Sequence, residues 1–282
     1  MATPASGPCV FISADIEGCA TVVHWDEVTP AASPAYERSR RLMAAEVNAA
    51  IEGAFAAGAG EAIVNDAHSK MRNLVGQGLD PRARLVSGRR KPRYMLEGID
   101  VQRCDLGFFI GYHGAIGDRD AVMGHTYSPR VIFECRLGGT VVGELTINAA
   151  VAAHYGVPIG LVSGDATTCA EAARNIPWAV RVETKASLSY YAAACRSPYD
   201  VRAALRAGAA EAVRDRTALR LFKLAAPIKL EIDTMTTAQA DGIASVPGFT
   251  RPAGRTVLFS GQDMRVVYDA LITAIDVGSA AA

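Results

Sequence analysis

The stretch that decides the fold is Val10-Phe11-Ile12-Ser13-Ala14-Asp15-Ile16-Glu17-Gly18, an apolar run that ends on two acids and a glycine. Two further apolar runs end in a similar way. Residues 62–65 lead into Asp66-Ala67-His68, and residues 106–110 lead into Gly111-Tyr112-His113. Such runs are typical of buried strands, and ligands of open α/β sheets gather outside the carboxyl ends of the strands. We therefore expect one pocket to collect these polar side chains.

The rest of the chain alternates in the manner of an α/β protein. Residues 35–58 predict a helix, because Met43, Val47 and Ile51 belong to one apolar stripe at helical spacing. A strand at 61–65 then follows a crossover helix, which favours parallel pairing with the first strand. Further elements are expected as a hairpin of strands 131–135 and 140–142, a helix at 144–155, strands at 159–163, 179–184, 228–232 and 255–259, and helices near 199–216 and 262–277. The expected fold is a mostly parallel central sheet flanked by helices, with a short antiparallel hairpin inserted in the sheet and a smaller C-terminal α/β part.

Length and composition set the domain organisation. The chain has 282 residues, half of them apolar, which suffices for one large core. We find no linker and expect a single domain over residues 1–282, with the alternative of a C-terminal subdomain from about residue 178. Disorder is expected at the two ends, residues 1–8 and 278–282.

Charge and cysteine usage narrow the class of protein. Lys+Arg and Asp+Glu are 29 each, so net charge gives no reason to expect nucleic acid or an anionic membrane as a partner. Arg89-Arg90-Lys91, bracketed by Gly88 and Pro92, is expected to be a solvated turn. No export signal or membrane-spanning run is found, and the six cysteines include no C-x-x-C pair, which favours a reducing cytoplasm.

Four residues at strand ends have the chemistry of a metal site. Asp15 and Glu17 are two residues apart and project to the same side of an extended chain, and Gly18 permits a sharp turn there. Two such carboxylates repel each other without a cation, although solvated loop acids are the alternative. With His68 and His113 the donor set is mixed carboxylate and imidazole, which favours zinc, with manganese, cobalt or iron as substitutes.

Two later residues are further candidates. Glu144 follows Gly143 at the first turn of a predicted helix, where an acid also stabilises the helix N-terminus electrostatically. His125 lies in the glycine-containing segment after His113, which suits a catalytic group. His24 and His154 are expected to be structural.

At this point the chain resembles a known family. Ser13-Ala14-Asp15-Ile16-Glu17-Gly18 is similar to the S-x-D-x-E-G signature of the D-aminopeptidase family of binuclear zinc peptidases, family M55. The resemblance continues through residues 46–50, 65–73, 111–113, 124–128, 143–144, 156–158 and 163–165. It departs at Gly138-Gly139, where the family has Asn-Gly, and at Ser187-Leu188-Ser189-Tyr190, where the family tends towards Gly-Arg. If the second region lines the substrate entrance, specificity is expected to differ.

The resemblance implies the roles of the site residues. Two zinc ions would be held by five ligands, with Asp15 bridging the two ions, Glu17 and His113 on one ion, and His68 and Glu144 on the other. His125 matches the histidine that the family assigns as catalytic nucleophile, and an acid/base or oxyanion role is the interpretation that the chemistry of a metal-activated water favours. The resemblance also implies a homo-oligomeric ring, a decamer, with active sites that face an internal channel.

The expected function is a metallo-aminopeptidase that hydrolyses the N-terminal residue of short peptides or amides, with D-alanine-type residues as the favoured substrates. A metal-activated water would attack, and His125 would transfer protons or support the oxyanion. One alternative is a haloacid-dehalogenase-like magnesium phosphatase with Asp15 as nucleophile and Gly164-Asp165 as a later acidic motif, which leaves His68 and His113 unexplained. Another is an inactive binding or assembly protein of the same fold. Cys19 as a nucleophile lacks a specific base.

Overall fold

The computed structural model describes residues 7–30, 33–101 and 103–281, so the disorder expected at residues 1–6 lies outside the described residues. The strands are β1 (Cys9–Ala14), β2 (Glu61–Asp66), β3 (Ala83–Val86), β4 (Leu106–Tyr112), β5 (Ile132–Leu137), β6 (Thr140–Val141), β7 (Ile159–Asp165), β8 (Val180–Ser189), β9 (Ala192–Cys195), β10 (Ile228–Thr234) and β11 (Thr256–Gly261). The helices are α1 (Pro34–Ala56), α2 (Glu144–His154), α3 (Ala166–Asn175), α4 (Pro198–Arg214), α5 (Thr237–Ala244) and α6 (Met264–Ala280).

A seven-stranded sheet with the order β3-β2-β1-β4-β7-β8-β9 forms the centre of the molecule. All neighbours in it are parallel except β8 and β9. Ala14 at the end of β1 pairs with Asp66 of β2 on one side and with Ile110 of β4 on the other. The carboxyl ends of three strands therefore meet at one edge, and the expected mostly parallel α/β fold is confirmed.

Alternation along β1 divides the core between the two faces of the sheet. Val10 and Ile12 pack with α1 and α4, while Phe11 packs with the apolar residues on the opposite face. Helix α1 begins where the Ser33 hydroxyl accepts the N–H of Tyr36, and Pro34 occupies its first turn. The helix returns the chain from the carboxyl edge to the start of β2 and packs against α4. Helix α1 is thus the crossover that joins β1 to β2 as a parallel pair.

The predicted hairpin lies in a second sheet and not in the parallel one. Strands β5 and β6 pair antiparallel, and β10 and β11 extend this sheet to the order β11-β10-β5-β6. Ile132, Cys135 and Leu137 are buried while Phe133 is 48% exposed, so part of β5 packs on the core. The backbone edge of β5 pairs with β10. The separate C-terminal subdomain stays a prediction.

Three other expectations need correction. The chain end is helical to Ala280, because α6 packs so closely on Val131 that a Cβ on Gly278 would lie 2.6 Å from its Cγ1 atom. Lys91 is buried, since its Nζ donates to the Asn65 side chain and to the Asp66 carbonyl. Strands β3 and β9 and helices α3 and α5 were not predicted from sequence. Among the described residues, no helix is long and apolar enough to cross a membrane.

Candidate metal centre

The structure brings all six candidate residues together at the carboxyl edge of the parallel sheet. Asp15 and Glu17 follow β1, His68 follows β2, His113 follows β4 directly, and Glu144 is the first residue of α2. The sixth residue, His125, comes from the loop between β4 and β5 and is 7% exposed. All six side chains are buried. Their roles as ligands or catalyst remain predictions, but their expected proximity is observed.

A tight turn after β1 aims the two acids into the cluster. Asp15 N–H donates to the Ile110 carbonyl at 2.8 Å, and Gly18 N–H donates to the Gly111 carbonyl at 2.8 Å. A Cβ on Gly18 would lie 1.7 Å from the carbonyl oxygen of Tyr112. Only glycine permits this close approach, which holds the acidic turn against β4.

Asp15 lies between two histidines. Its Oδ1 is 3.3 Å from Nδ1 of His68, and its Oδ2 is 3.6 Å from Nε2 of His113. Glu17 Oε2 is 2.9 Å from the same His68 nitrogen. The two oxygens of Asp15 thus face different imidazoles, which is the arrangement that a bridging carboxylate requires.

Glu144 and His125 close the other side of the cluster. Glu144 Oε1 is 3.6 Å from His113 Nε2 and 3.8 Å from His125 Nε2, and it accepts the N–H of Tyr127 at 2.7 Å. The rings of His113 and His125 stack with centroids 4.0 Å apart and an interplanar angle of 9°. The edge of Trp25 packs on His125 at 5.2 Å.

Each imidazole is oriented by a backbone carbonyl. His68 Nε2 lies 2.7 Å from the Val28 carbonyl, His113 Nδ1 3.0 Å from that of Gly114, and His125 Nδ1 2.9 Å from that of Met123. A carbonyl only accepts, so these nitrogens carry the proton in the neutral rings. The opposite nitrogens, which point into the cluster, are then free to bind a metal or a proton.

Burial and mutual charge set the protonation of the cluster. Burial raises the pKa of Glu144 to about 8, with the charge of Asp15 adding to the rise and that of His113 opposing it. Burial opposes a charged His113, but the neighbouring carboxylates outweigh it and raise the pKa of His113 to about 9. Burial and the charge of His113 hold the pKa of His125 well below its ordinary value. His125 is therefore a neutral group at neutral pH.

The residues present fit a metal site. Three buried carboxylates face the imidazoles, and His113 Nε2 has no hydrogen-bond partner among the described residues. Ligand atoms of Asp15, Glu17 and His113 all lie within 4.8 Å of one another, and so do those of His113, His125 and Glu144. A compact set of oxygen and imidazole donors with an orphaned buried nitrogen is the chemistry that zinc prefers.

Supporting groups around the cluster were missed by sequence reasoning. Lys185 in β8 is fully buried and donates to the carbonyls of Glu17, Cys19 and Val22. Asn73 donates to the Asp66 carboxylate at 2.7 Å and to the carbonyl of His68 at 2.8 Å. The sequence offers no local signal for the first of these groups, since Lys185 lies between Thr184 and Ala186 in a strand of mixed polarity.

The structure removes the chemical basis of two alternative functions, a phosphatase that uses Asp165 and a thiol enzyme that uses Cys19. Asp165 caps α3 by accepting the N–H of Thr168, and it also accepts the N–H of Gly114, so it has a structural role. The Cys19 thiol is buried, and burial raises its pKa well above the ordinary value, which opposes thiolate chemistry. His24 caps a short 3₁₀-helix, as expected for a structural residue.

A parallel α/β sheet with a buried carboxylate and imidazole cluster at its carboxyl edge defines the class of metal-dependent α/β hydrolytic enzymes. The family model of the M55 peptidases, described as D-aminopeptidase, matches residues 9–273. The chain belongs to this family, and it is a hydrolase of the aminopeptidase class.

A sequence comparison and a structure comparison both support this assignment. The D-aminopeptidase of Bacillus subtilis strain 168 is 34% identical over 267 residues, which cover 93% of this chain and 95% of the relative. The solved structure of the Zn-dependent D-aminopeptidase DppA from Bacillus subtilis, described as a self-compartmentalizing protease, matches with a TM-score of 0.90 and 32% identity. That match covers 96% of this chain and 98% of DppA.

Proposed function

We propose that this protein is a zinc-dependent aminopeptidase that removes the N-terminal residue, a D-residue such as D-alanine, from short peptides or amides. The observation that carries the proposal is the buried cluster of carboxylates and imidazoles on the floor of a cavity of about 360 Å³. This volume falls within the range of small-molecule sites, about 300–1,000 Å³. The zinc dependence and D-specificity of the similar Bacillus enzymes support the metal and the substrate class.

Five residues would hold two zinc ions. Asp15 would bridge them, because its two oxygens face different imidazoles. Glu17 and His113 would complete one ion, which is supported by the mutual approach of their ligand atoms to those of Asp15. His68 and Glu144 would complete the other ion, as the family resemblance implies, whereas the shortest distances in the structure join Glu17 to His68 and Glu144 to His113. Zinc bound here supplies Lewis acidity for the scissile carbonyl and lowers the pKa of water towards neutrality.

The residues of the chain itself orient the substrate and move the proton. The free amino group of a peptide would be held at this cluster, at a metal ion or at a ligand carboxylate, which favours cleavage next to the N-terminus. His125 is neutral, and its Nδ1 proton is held by the Met123 carbonyl, so Nε2 faces the cavity. From there it accepts a proton and passes it to the leaving amine, as a general base and acid.

Metal analysis and turnover test the proposal. Protein purified without chelators is expected to contain about two zinc ions per chain, and Asp15→Ala to lose most of them, while the exposed Asp26→Ala serves as the matched control. His125→Ala should keep its metal and lose turnover of D-alanyl dipeptides by about 100-fold or more, unlike His24→Ala. A wild type that cannot be loaded with metal would refute the metal site. Normal turnover in His125→Ala would refute the catalytic role of His125.

We also propose a homo-oligomeric ring, a decamer, in the cytoplasm. The description of DppA as self-compartmentalizing supports the ring, and Leu188, 74% exposed on the β8–β9 hairpin, offers apolar surface for contact between copies. Six free thiols support a reducing compartment. Native mass spectrometry tests the ring, which should have ten times the 29.7 kDa mass of the chain.

A further inference from the structure

In the cavity above the metal cluster, the acidic side chains are buried at the floor and the basic side chains are exposed. Every carboxylate that lines it, those of Asp15, Glu17 and Glu144, is buried at the floor. Every Lys or Arg that lines it is exposed at the mouth. These three residues are Lys70, Arg89 and Arg130, which we term the cationic rim.

The cations of the rim are not neutralised by the protein. Among the described residues, none of the three forms an ion pair with a carboxylate. Arg90, the neighbour of Arg89 in sequence, behaves differently, because it pairs with Asp276 on α6 and lines a separate cavity. All three basic residues that line this cavity thus carry a charge that no carboxylate of the described residues pairs with.

The side chain of Arg89 lies over an aromatic ring. Its guanidinium lies 5.3 Å from the centroid of the Tyr94 ring, which leaves the N–H edge of the planar group free. Tyr94 packs against Tyr127 at 5.9 Å, and the backbone N–H of Tyr127 donates to Glu144. These contacts connect Arg89 to the carboxylate of Glu144 at the floor of the cavity. A guanidinium group can bind a carboxylate with two parallel N–H···O hydrogen bonds.

We propose that the cationic rim binds the C-terminal carboxylate of the substrate and so selects short peptides with a free C-terminus. A short peptide is a zwitterion: its amino end would be held at the metal cluster, and its carboxylate is attracted to the exposed cations of the rim. An extended chain advances at most about 3.6 Å per residue, so only a short peptide reaches both ends of one small cavity. The proposal rests on the proposed function and adds the residues that determine substrate length and end group.

The test compares two substrates that differ only at the C-terminus, D-alanyl-D-alanine and D-alanyl-D-alaninamide. Wild type is expected to show a KM about tenfold lower for the free acid, because a charge-assisted hydrogen bond is lost with the amide. Arg89→Gln should raise KM for the acid by about tenfold, leave kcat within about twofold, and leave the amide unchanged. Lys70→Gln and Arg130→Gln should act in the same direction.

Arg90→Gln is the matched control, since the same change at the adjacent position leaves the rim intact, and it should leave both KM values unchanged. Added salt should raise KM for the acid only, because exposed charges are screened. Equal effects of Arg89→Gln on acid and amide, or no preference for the acid in wild type, would overturn the proposal.

Failure of the proposed function is distinguishable from failure of the rim. If wild type hydrolyses neither dipeptide, the function is wrong, and calorimetric titration of metal-loaded wild type with the same two compounds decides the rim separately. Tighter binding of the acid that is lost in Arg89→Gln supports the rim. Equal binding of acid and amide refutes it.

Discussion

Replacement of Lys185 by methionine tests how the fold supports the metal cluster. Lys185 is fully buried in β8, and its ammonium has three donors that meet three carbonyls, those of Glu17, Cys19 and Val22. The Cys19 contact measures 3.0 Å. Since these acceptors all belong to the turn after β1, one side chain ties that turn to the far side of the sheet.

The expected loss of stability follows from the three carbonyls. Methionine has nearly the same length but no donor, and each buried carbonyl left unpaired costs about 1–3 kcal/mol. Part of this cost is offset because burial already penalises the charge of Lys185, as the lowered pKa of its ammonium shows. We expect Lys185→Met to reduce the free energy of unfolding by about 3–5 kcal/mol, the range for breaking a buried charged interaction.

Urea denaturation of metal-free protein measures this loss, and zinc content measures its effect on the site, because the carboxylate of Glu17 belongs to the same turn. Lys229→Met is the control, since Lys229 lies on the exposed face of β10. A loss below about 1 kcal/mol, the size of an ordinary surface effect, together with full zinc content would refute the argument.

Three further predictions concern the turn, the protons and the catalytic histidine. Gly18→Ala should destabilise by about 3 kcal/mol or more in thermal unfolding, because its Cβ would meet a backbone carbonyl at 1.7 Å, whereas Gly254→Ala, with open space around it, should be neutral. Zinc loading at pH 7 should release protons, because the pKa values of His113 (about 9) and Glu144 (about 8) lie above that pH in the metal-free chain. Apparent zinc affinity should therefore weaken as the pH falls below about 9, and calorimetry in buffers of different ionisation enthalpy counts the protons. Trp25→Ala should lower kcat by up to about tenfold with unchanged zinc content, because the ring contact on the catalytic imidazole is lost; an unchanged kcat would contradict this.

The sequence by itself determined the parallel start of the fold and the composition of the candidate site. Strand β1, helix α1 and strand β2 follow from local periodicity and capping, which act within a few residues. Parallel pairing places consecutive strand ends at one edge, so the proximity of Asp15, His68 and His113 was predictable without coordinates. Glu144 and His125 were candidates from their places at a helix start and in a glycine-containing loop, and the family resemblance assigned them roles as ligand and catalytic residue.

Only the tertiary structure decided the partners that lie far apart in the chain. The hairpin strand β5 pairs with β10, more than 90 residues later in sequence, and each of the two strands buries apolar residues against the core. Lys185, buried against a turn from the other end of the chain, has no local pattern that predicts its three acceptors. The cationic rim likewise depends on which of two adjacent arginines finds an acid, Arg90 with Asp276, and which is left facing the cavity. Local preferences fix the elements, whereas long-range packing decides which polar groups are satisfied and which remain free to bind a ligand.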